Sequence, residues 1–410
     1  MGKAAMTTFE QSVSTSLELF RRHEVMTRSE FVRESGLSRS AVNQRIDVLL
    51  SADLILSEHG EVQTKGRPAD RFTFNATKGL VLAADLGVEA ARVGICDLSG
   101  NIQRESTMDI NIVDDPEAVM QQLIKEFDLL MEETGVSVAE ILGVGVGVPA
   151  PVKIHAGFTV NPPIMPMWNR FDVPASLARH YSVPVILEKD ANIMAYGEAR
   201  LRFPDVENLL MVKVGTGIGS GFVLNGQLFR GSDGAAGDIG HTLVESLQPD
   251  DSLPLCKCGN RGCLEAYAGG WAILRDLQDS GNPVYEHADL VQLINSGDPA
   301  ALEAIRRAGR LIGSAIATAI NLTNPRVVVV GGRLATAGGD HLFAGIREMV
   351  YRRSLPLATS NLRIERSTLF PQSGLVGLAH LVADSVLAPD RIGALLNGGA
   401  NTAPAPTGGG

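Results

Sequence analysis

The sequence predicts an α/β protein in two parts: an N-terminal winged helix-turn-helix over residues 1–78, then a two-lobed α/β body. Three observations predict this. Two short helix patterns in the head are joined by a Gly-containing turn, and the second is capped by Ser38. From Leu80 onward, apolar strands alternate with helices. Within that stretch the order strand, glycine turn, strand occurs twice, which implies two similar halves with a cleft between them. The 410 residues suffice for several domains, and 45% hydrophobic with 20% charged residues excludes a largely disordered chain. No run of about 18 apolar residues appears, and Met1-Gly2-Lys3-Ala4-Ala5 does not open a signal-peptide core. A soluble, cytoplasmic protein that does not span a membrane is expected.

The head begins with a helix running from Ser16 to Arg22 through Leu17, Leu19 and Phe20. Thr27 and Glu30 form a capping-box pattern for a helix over Arg28 to Ser35, which turns Phe31 and Val32 inward. Gly36 suits the left-handed stop. Ser38 caps a third helix with Val42, Ile46 and Leu49 or Leu50 inside. Its outward face carries Arg39, Ser40, Asn43, Gln44 and Arg45, side chains of the type that read base edges and phosphates. Leu54 to Leu56 and Arg71 to Phe74 read as strands, with Lys65 and Arg67 on a wing between them. Double-stranded DNA is the expected partner; a small helical protein-interaction domain is the competing reading.

Charge agrees with a local rather than a global DNA contact. Residues 1–78 hold 11 Lys+Arg and 10 Asp+Glu, against 25 and 36 in the remainder. An acidic body repels a polyanion, so any nucleic-acid contact comes from a cluster in the head.

In the body, Leu80 to Asp85 is a buried strand running into Gly87, and Arg92 to Asp97 returns to a turn at Ser99-Gly100. A helix over Pro116 to Thr134 precedes the glycine-rich strand Ile141 to Val148. Then come a strand over Val183 to Leu187 and a helix over Asn192 to Leu201. The second half opens with Leu209 to Val214, a glycine turn, Gly221 to Leu224 and a turn at Asn225-Gly226. A long helix over Ala301 to Leu322 and a buried strand over Val327 to Val330 follow, ending in Gly331-Gly332. The turns at Asp85-Leu86-Gly87 and at Gly215, Thr216, Gly217 and Gly219 present backbone N–H groups of the kind that cradle phosphate, and Gly331-Gly332 is a third such turn. Taken singly, each is equally an ordinary tight turn.

His241 with Cys256, Cys258 and Cys263 makes a Cys₃His set, the ligand complement of a closed, structural zinc site. A disulfide is the competing reading, disfavoured because Cys-x-Cys is too close for an easy bridge. Cys96, on an apolar strand, reads as core. Asp238, Glu265 and Asp190 are carboxylates placed to accept hydrogen bonds from a hydroxyl-rich ligand, although each alone is equally a solvated or capping acid.

Together these elements resemble the ROK family (repressors, open reading frames, kinases) from the head to about residue 388. The most specific matches are Gly237-Asp238-Ile239-Gly240-His241 and the Cys256 to Glu265 segment; Asp190-Ala191-Asn192, Gly215 to Gly219 and Val330-Gly331-Gly332 add to them. The resemblance implies an actin-like, sugar-kinase-like body: one lobe over 79–205, and a second over 206–388 that holds zinc and whose last helix packs back on the first. It implies dimers or tetramers, and the head implies a transcriptional regulator of the NagC, XylR and Mlc type. Asp190 then matches the family's catalytic base, Glu265 a sugar-binding acid, His241 a zinc ligand near the sugar, and Asn161 a sugar-contacting asparagine.

Three departures from the family pattern stand out. Val88-Glu89-Ala90 replaces the glycine, threonine and lysine of the kinases' first phosphate loop, so Glu89 is expected to repel ATP phosphates. Lys189 replaces an asparagine before Asp190 and is expected to lower its basicity. Asp238 replaces a glutamate. The expected function is a repressor answering to a sugar or sugar phosphate, with a sugar kinase carrying a DNA-binding head as the alternative. Residues 389–410 read as a disordered tail.

Overall fold

The computed structural model of the chain describes residues 8–58, 70–244, 253–282 and 284–397. Lys65 and Arg67, on the expected wing, and 398–410 of the expected tail lie outside the described residues.

The head comprises α1 (Thr8–Arg22), β1 (Met26–Thr27), α2 (Arg28–Ser35), α3 (Arg39–Ser51), β2 (Ile55–Glu58) and β3 (Arg71–Phe74). Local chemistry sets its boundaries. The Glu30 N–H donates to Thr27 Oγ1 at 3.3 Å while the Thr27 N–H donates to the Glu30 carboxylate at 2.8 Å, so α2 starts with a complete capping box. Gly36 ends it at φ 66°, and Ser38 Oγ accepts the Ala41 N–H to start α3. Helix α1 begins two turns before the expected Ser16, because Val13 extends the buried stripe of Leu17 and Phe20. These pack on Phe31, Val42, Ile46, Leu49 and Phe72, and the strands pair antiparallel in the order β1-β3-β2.

The first lobe holds β4 (Leu80–Leu86), β5 (Ala90–Asp97), β6 (Ile102–Asp109), α4 (Pro116–Thr134), β7 (Ile141–Val148), the short pair β8 (Val152–Lys153) and β9 (Phe158–Thr159), α5 (Val173–Ala178) and β10 (Val185–Lys189). Next comes α6 (Asp190–Gly197), prolonged by a π-helical turn over Glu198–Arg202. The second lobe adds β11 (Leu209–Val214), β12 (Ile218–Leu224), β13 (Gln227–Phe229), α7 (Glu265–Ala268), α8 (Gly270–Asp279), α9 (His287–Ser296), α10 (Pro299–Thr323), β14 (Val327–Gly331), α11 (Arg333–Arg353), α12 (Pro356–Thr359) and β15 (Arg363–Arg366). The chain closes with α13 (Ser373–Val386) and α14 (Ile392–Leu396).

The two five-stranded sheets, β10-β7-β4-β5-β6 and β13-β12-β11-β14-β15, have one topology. In each, the first strand pairs antiparallel with the second and parallel with the fourth. The duplication seen in the sequence is therefore a duplication of architecture. Between the sheets lie α6 and α13, whose Ile193, Met194, Ala195, Leu375, Leu378 and Ala379 form one core with Met211, Val223 and Val329. Cys96 is buried in that core.

The C-terminal expectation needs correction. Residues 389–397 are not tail: α14 buries Ile392 and Leu395 against α1 and α3, in a core shared by the head, Val81, Leu142 and the end of α13. The low-complexity run hid this because Ile392, Leu395 and Leu396 occupy little more than one helical turn.

Glycines let α6 and α13 touch through their backbones. A Cβ on Gly377 would fall 1.8 Å from the Ile193 carbonyl oxygen, and one on Gly197 2.3 Å from that of Ser373. Gly377→Ala is therefore expected to cost at least about 1–3 kcal/mol of stability, read as a fall in the urea midpoint.

Candidate effector cleft, metal cluster and DNA-facing helix

A cleft of about 290 Å³ opens between the lobes. Asp190, Asp238, His241, Glu265, the turn residues Gly215, Thr216 and Gly217, and Gly219, which falls within β12 rather than the expected turn, all line it, although they come from separate elements. Three expected residues do not. Asn161 is exposed at φ 40°, with its N–H donated to Asn169. Gly331 ends β14, and Gly332, at φ 104°, backs onto the Val214 carbonyl; the next residues, Arg333 and Leu334, line the cleft instead.

Carboxylates in the cleft are held by specific partners. The Lys213 ammonium donates to Asp190 Oδ2 at 2.5 Å. Lys189 donates to Asp238 Oδ1 at 2.9 Å and to the Ala236 carbonyl at 2.7 Å. Glu265 Oε2 accepts the Ile218 N–H at 2.9 Å, and Oε1 accepts the Trp271 indole N–H at 3.2 Å. Gly217 is obligatory beside it, since a Cβ there would lie 2.3 Å from Glu265 Oε2. The glycine turn is thereby partly spent: the Gly215 N–H bonds the Gly217 carbonyl, and the Ile218 N–H belongs to Glu265.

Two expectations are corrected here. Lys189 does not act on its sequence neighbour Asp190: its side chain turns to Asp238, and the cation on Asp190 is Lys213, arriving from β11. Glu89 does not present a free charge to the phosphate position, because it pairs with Arg333 at 3.5 Å across the two lobes. Lys213 was the readable signal that sequence reasoning passed over: it is a single cation in the apolar strand Leu209–Val214.

Below this pair lies Asp85, whose buried Oδ1 has no hydrogen-bond partner among the described residues. Burial raises its pKa to about 6, with the Asp190 charge adding and the Lys213 charge opposing. Burial alone would depress Lys213, but Asp190 and Asp85 outweigh it and the ammonium is held above its usual range.

His241, Cys256, Cys258 and Cys263 converge, with all ligand atoms within 4.8 Å of one another. Cys256 Sγ lies 3.6 Å from His241 Nδ1, and Cys258 Sγ 3.7 Å from Cys263 Sγ. Tetrahedral zinc, with bonds of about 2.3 Å to sulfur and 2.0–2.1 Å to nitrogen, has ligand–ligand edges of roughly 3.5–3.8 Å. The donor set fits that ion. Burial pushes the Cys263 thiol up to about 12 and raises Cys256, so thiolates there call for a compensating cation. The cluster also carries the site: His241 lines the cleft, and Glu265 follows Cys263 by two residues.

On α3, Arg39, Ser40, Asn43 and Gln44 are exposed. Asn43 Oδ1 accepts from Arg28 at 2.9 Å, and Ser40 Oγ lies 3.1 Å from Ser38 Oγ. Arg45 departs from the expected outward face. Its Nε donates to Ser12 at 3.0 Å and its guanidinium stacks 4.2 Å from the Phe9 ring, so it fastens α3 to α1.

Comparison with known proteins agrees with this geometry. A sequence profile of the ROK family matches residues 81–385. A putative xylose repressor of Caldicellulosiruptor sp. (strain Rt8B.4) is 28% identical over 385 residues, covering 90% of this chain and 95% of that protein. A glucokinase of Thermotoga maritima is 29% identical over 323 residues, 75% of this chain and 98% of the enzyme. Among solved structures, a ROK family transcriptional regulator, a homologue of the E. coli MLC protein, superposes with a TM-score of 0.79 over 95% of this chain and 99% of its own, at 23% identity.

The Asp85 pKa carries a sign. The native state holds this proton more tightly than an unfolded chain with the ordinary value of 3.8, so the stability it contributes is present at low pH and lost as pH rises towards about 6. Asp85→Asn is expected to remove that fall. In urea titrations from pH 4 to 7, the variant gains on the parent through this window and the gap levels off above it.

Proposed function

The chain belongs to the ROK family, and on that premise we propose that it is a sugar-responsive, DNA-binding transcriptional repressor. The observation that carries this is the head itself. The glucokinase relative covers 75% of the chain and spans 98% of its own length, whereas the xylose repressor relative covers 90% of the chain. The alignments differ by 62 residues, 385 against 323, and ahead of residue 81, where the family profile begins, stands a head whose α3 exposes Arg39, Ser40, Asn43 and Gln44. Helix α3 is the recognition helix, entering a major groove, and Lys65 and Arg67, in the sequence between β2 and β3, are proposed to contact phosphate. A homodimer or homotetramer places two such helices on successive half-sites of an operator. The protein works in the cytoplasm.

The effector is a sugar or sugar phosphate held in the cleft by hydroxyl contacts to Asp190, Asp238 and Glu265, with His241 beside them. The sugar acts by preferring one lobe arrangement, and each tenfold preference is worth about 1.4 kcal/mol. Zinc is the ion in the Cys₃His cluster. Its role is structural, since four protein ligands leave it no open position; when bound it braces the loop that presents His241 and Glu265.

The second reading, an ATP-dependent sugar kinase, is favoured by Asp190 at the cleft end of α6 and by the glucokinase relative. Against it stand the Lys213 ammonium on Asp190 and the Glu89–Arg333 pair at the phosphate turn. Lys213 occupies Oδ2 of the carboxylate that a sugar hydroxyl would approach. The chain is proposed to be no enzyme.

The test is binding of the full-length protein to its upstream DNA, or to sites selected from random DNA, at two salt concentrations with D-xylose, D-glucose and their phosphates. Specific, salt-dependent binding weakened by one sugar is expected; Arg39→Ala lowers operator affinity on the order of tenfold. Glu265→Gln, which keeps an acceptor for the turn, blunts the sugar response. No specific binding together with sugar-dependent ADP release that Asp190→Asn abolishes would contradict the proposal and establish the kinase.

Metal analysis is expected to find about one zinc ion per chain, with Cys258→Ser losing it and melting at lower temperature. Wild-type protein free of zinc yet equally stable would contradict the structural role.

A further inference from the structure

A regulator of this kind needs a physical route from cleft to head, and two helices span that distance. Helix α6 begins in the cleft at Asp190 and carries Tyr196, with Arg200 on its π-helical extension, to the head. Helix α13 begins beside Asp85: a Cβ on Gly374 would lie 2.2 Å from Asp85 Oδ2. It ends at the head with Asp384. The two are interlocked through backbone contacts at Gly197 and Gly377, so neither can slide without the other.

Where they meet the head, charges converge on Asp384. Arg21, on α1, donates to its Oδ1 at 2.7 Å, Arg200 donates to its Oδ2 at 3.1 Å, and the Tyr196 hydroxyl also donates to it. Arg200 further donates to the Tyr196 oxygen at 2.6 Å and to Glu18, on α1, at 3.2 Å. Arg21 closes the ring to Glu18 at 3.0 Å, and its side chain is only 9% exposed. Burial alone would favour the neutral acid at Asp384, but Arg21 and Arg200 hold its pKa below the ordinary value. One turn earlier on α13, both nitrogens of His380 are buried with no hydrogen-bond partner among the described residues. Within the cluster itself the Arg200 Nε is likewise buried with no partner among the described residues, and polar groups left unsatisfied mark an arrangement that is not the best available to every member.

We propose that the Arg21–Asp384–Arg200 cluster is the clasp through which occupancy of the cleft sets the position of the DNA-reading head. This rests on the repressor reading. A ligand that draws Lys213 from Asp190 or closes the lobes shifts the cleft ends of α6 and α13, and their interlock delivers that shift to α1. Asp384 is a positioning residue, acting on DNA through Arg21.

The experiment uses full-length protein and has two arms. In the first, amide exchange over α1 is compared in the parent, Lys213→Met, Asp384→Asn and the double variant, with no sugar present. Lys213→Met is expected to change α1 exchange in the otherwise intact chain and to add nothing once Asp384→Asn has opened the clasp. In the second, operator affinity is measured with and without D-xylose or D-glucose, whichever acts on the parent. Asp384→Asn and Arg21→Gln are expected to bring the parent's ratio, on the order of tenfold, to within about threefold of unity. Sugar affinity of the DNA-free protein stays within about threefold of the parent's, which a merely misfolded variant would not achieve.

If α1 exchange ignores Lys213→Met, or if both clasp variants keep the parent's sugar ratio, the clasp is overturned while the repressor reading stands. If the parent binds no operator, the repressor reading falls and the clasp with it.

Discussion

The contact on which the rest of the molecule depends is the backbone approach of α6 and α13 between the two sheets. It exists because Gly197 and Gly377 carry no side chain at positions where a Cβ would overlap a carbonyl oxygen of the facing helix. Each helix also packs on a sheet, so the pair bonds the lobes to one another. Their first residues border the cleft and their last turns border the head, so one packed unit touches both. A well-packed interface of this kind has few intermediate positions, which is the property a two-state regulator uses.

Charge pairing gives the cleft its character. Lys213 pairs with Asp190 and Lys189 with Asp238, while Glu89 and Arg333 join the lobes beside the turn that follows β4. Each carboxylate keeps acceptor capacity for a hydroxyl, since an ionised carboxylate offers about four lone-pair sites. An acid paired with lysine therefore still accepts a hydrogen bond. The Cys₃His cluster belongs to the same design, because the loop it ties down carries His241 and leads directly into Glu265.

Local signals made much of the fold legible in the sequence. The capping box at Thr27, the left-handed stop at Gly36 and the Ser38 cap each act within a few residues, and each helix they bound is where the pattern puts it. Strand Ile141–Val148 and helix Pro116–Thr134 match their apolar patterns, and the zinc-type spacing brought four ligands together. Long-range partners were not legible. Lys189 reads as the cation beside Asp190, yet a side chain on a strand end points where the sheet sends it, and a lysine 23 residues further on takes that place. Arg45 lies on the expected helix but finds Phe9 and Ser12, and helix α14 is stabilised wholly by what it packs against. Such contacts depend on the assembled fold rather than on periodicity.

In the proposed reading one equilibrium links the cleft to DNA, and linkage makes the effect reciprocal. The most direct test is calorimetric titration of the effector sugar into the free protein and into the protein–operator complex. The complex is expected to bind the sugar more weakly, by the same factor by which the sugar weakens operator binding. Equal sugar affinity for the free and the DNA-bound protein would contradict it.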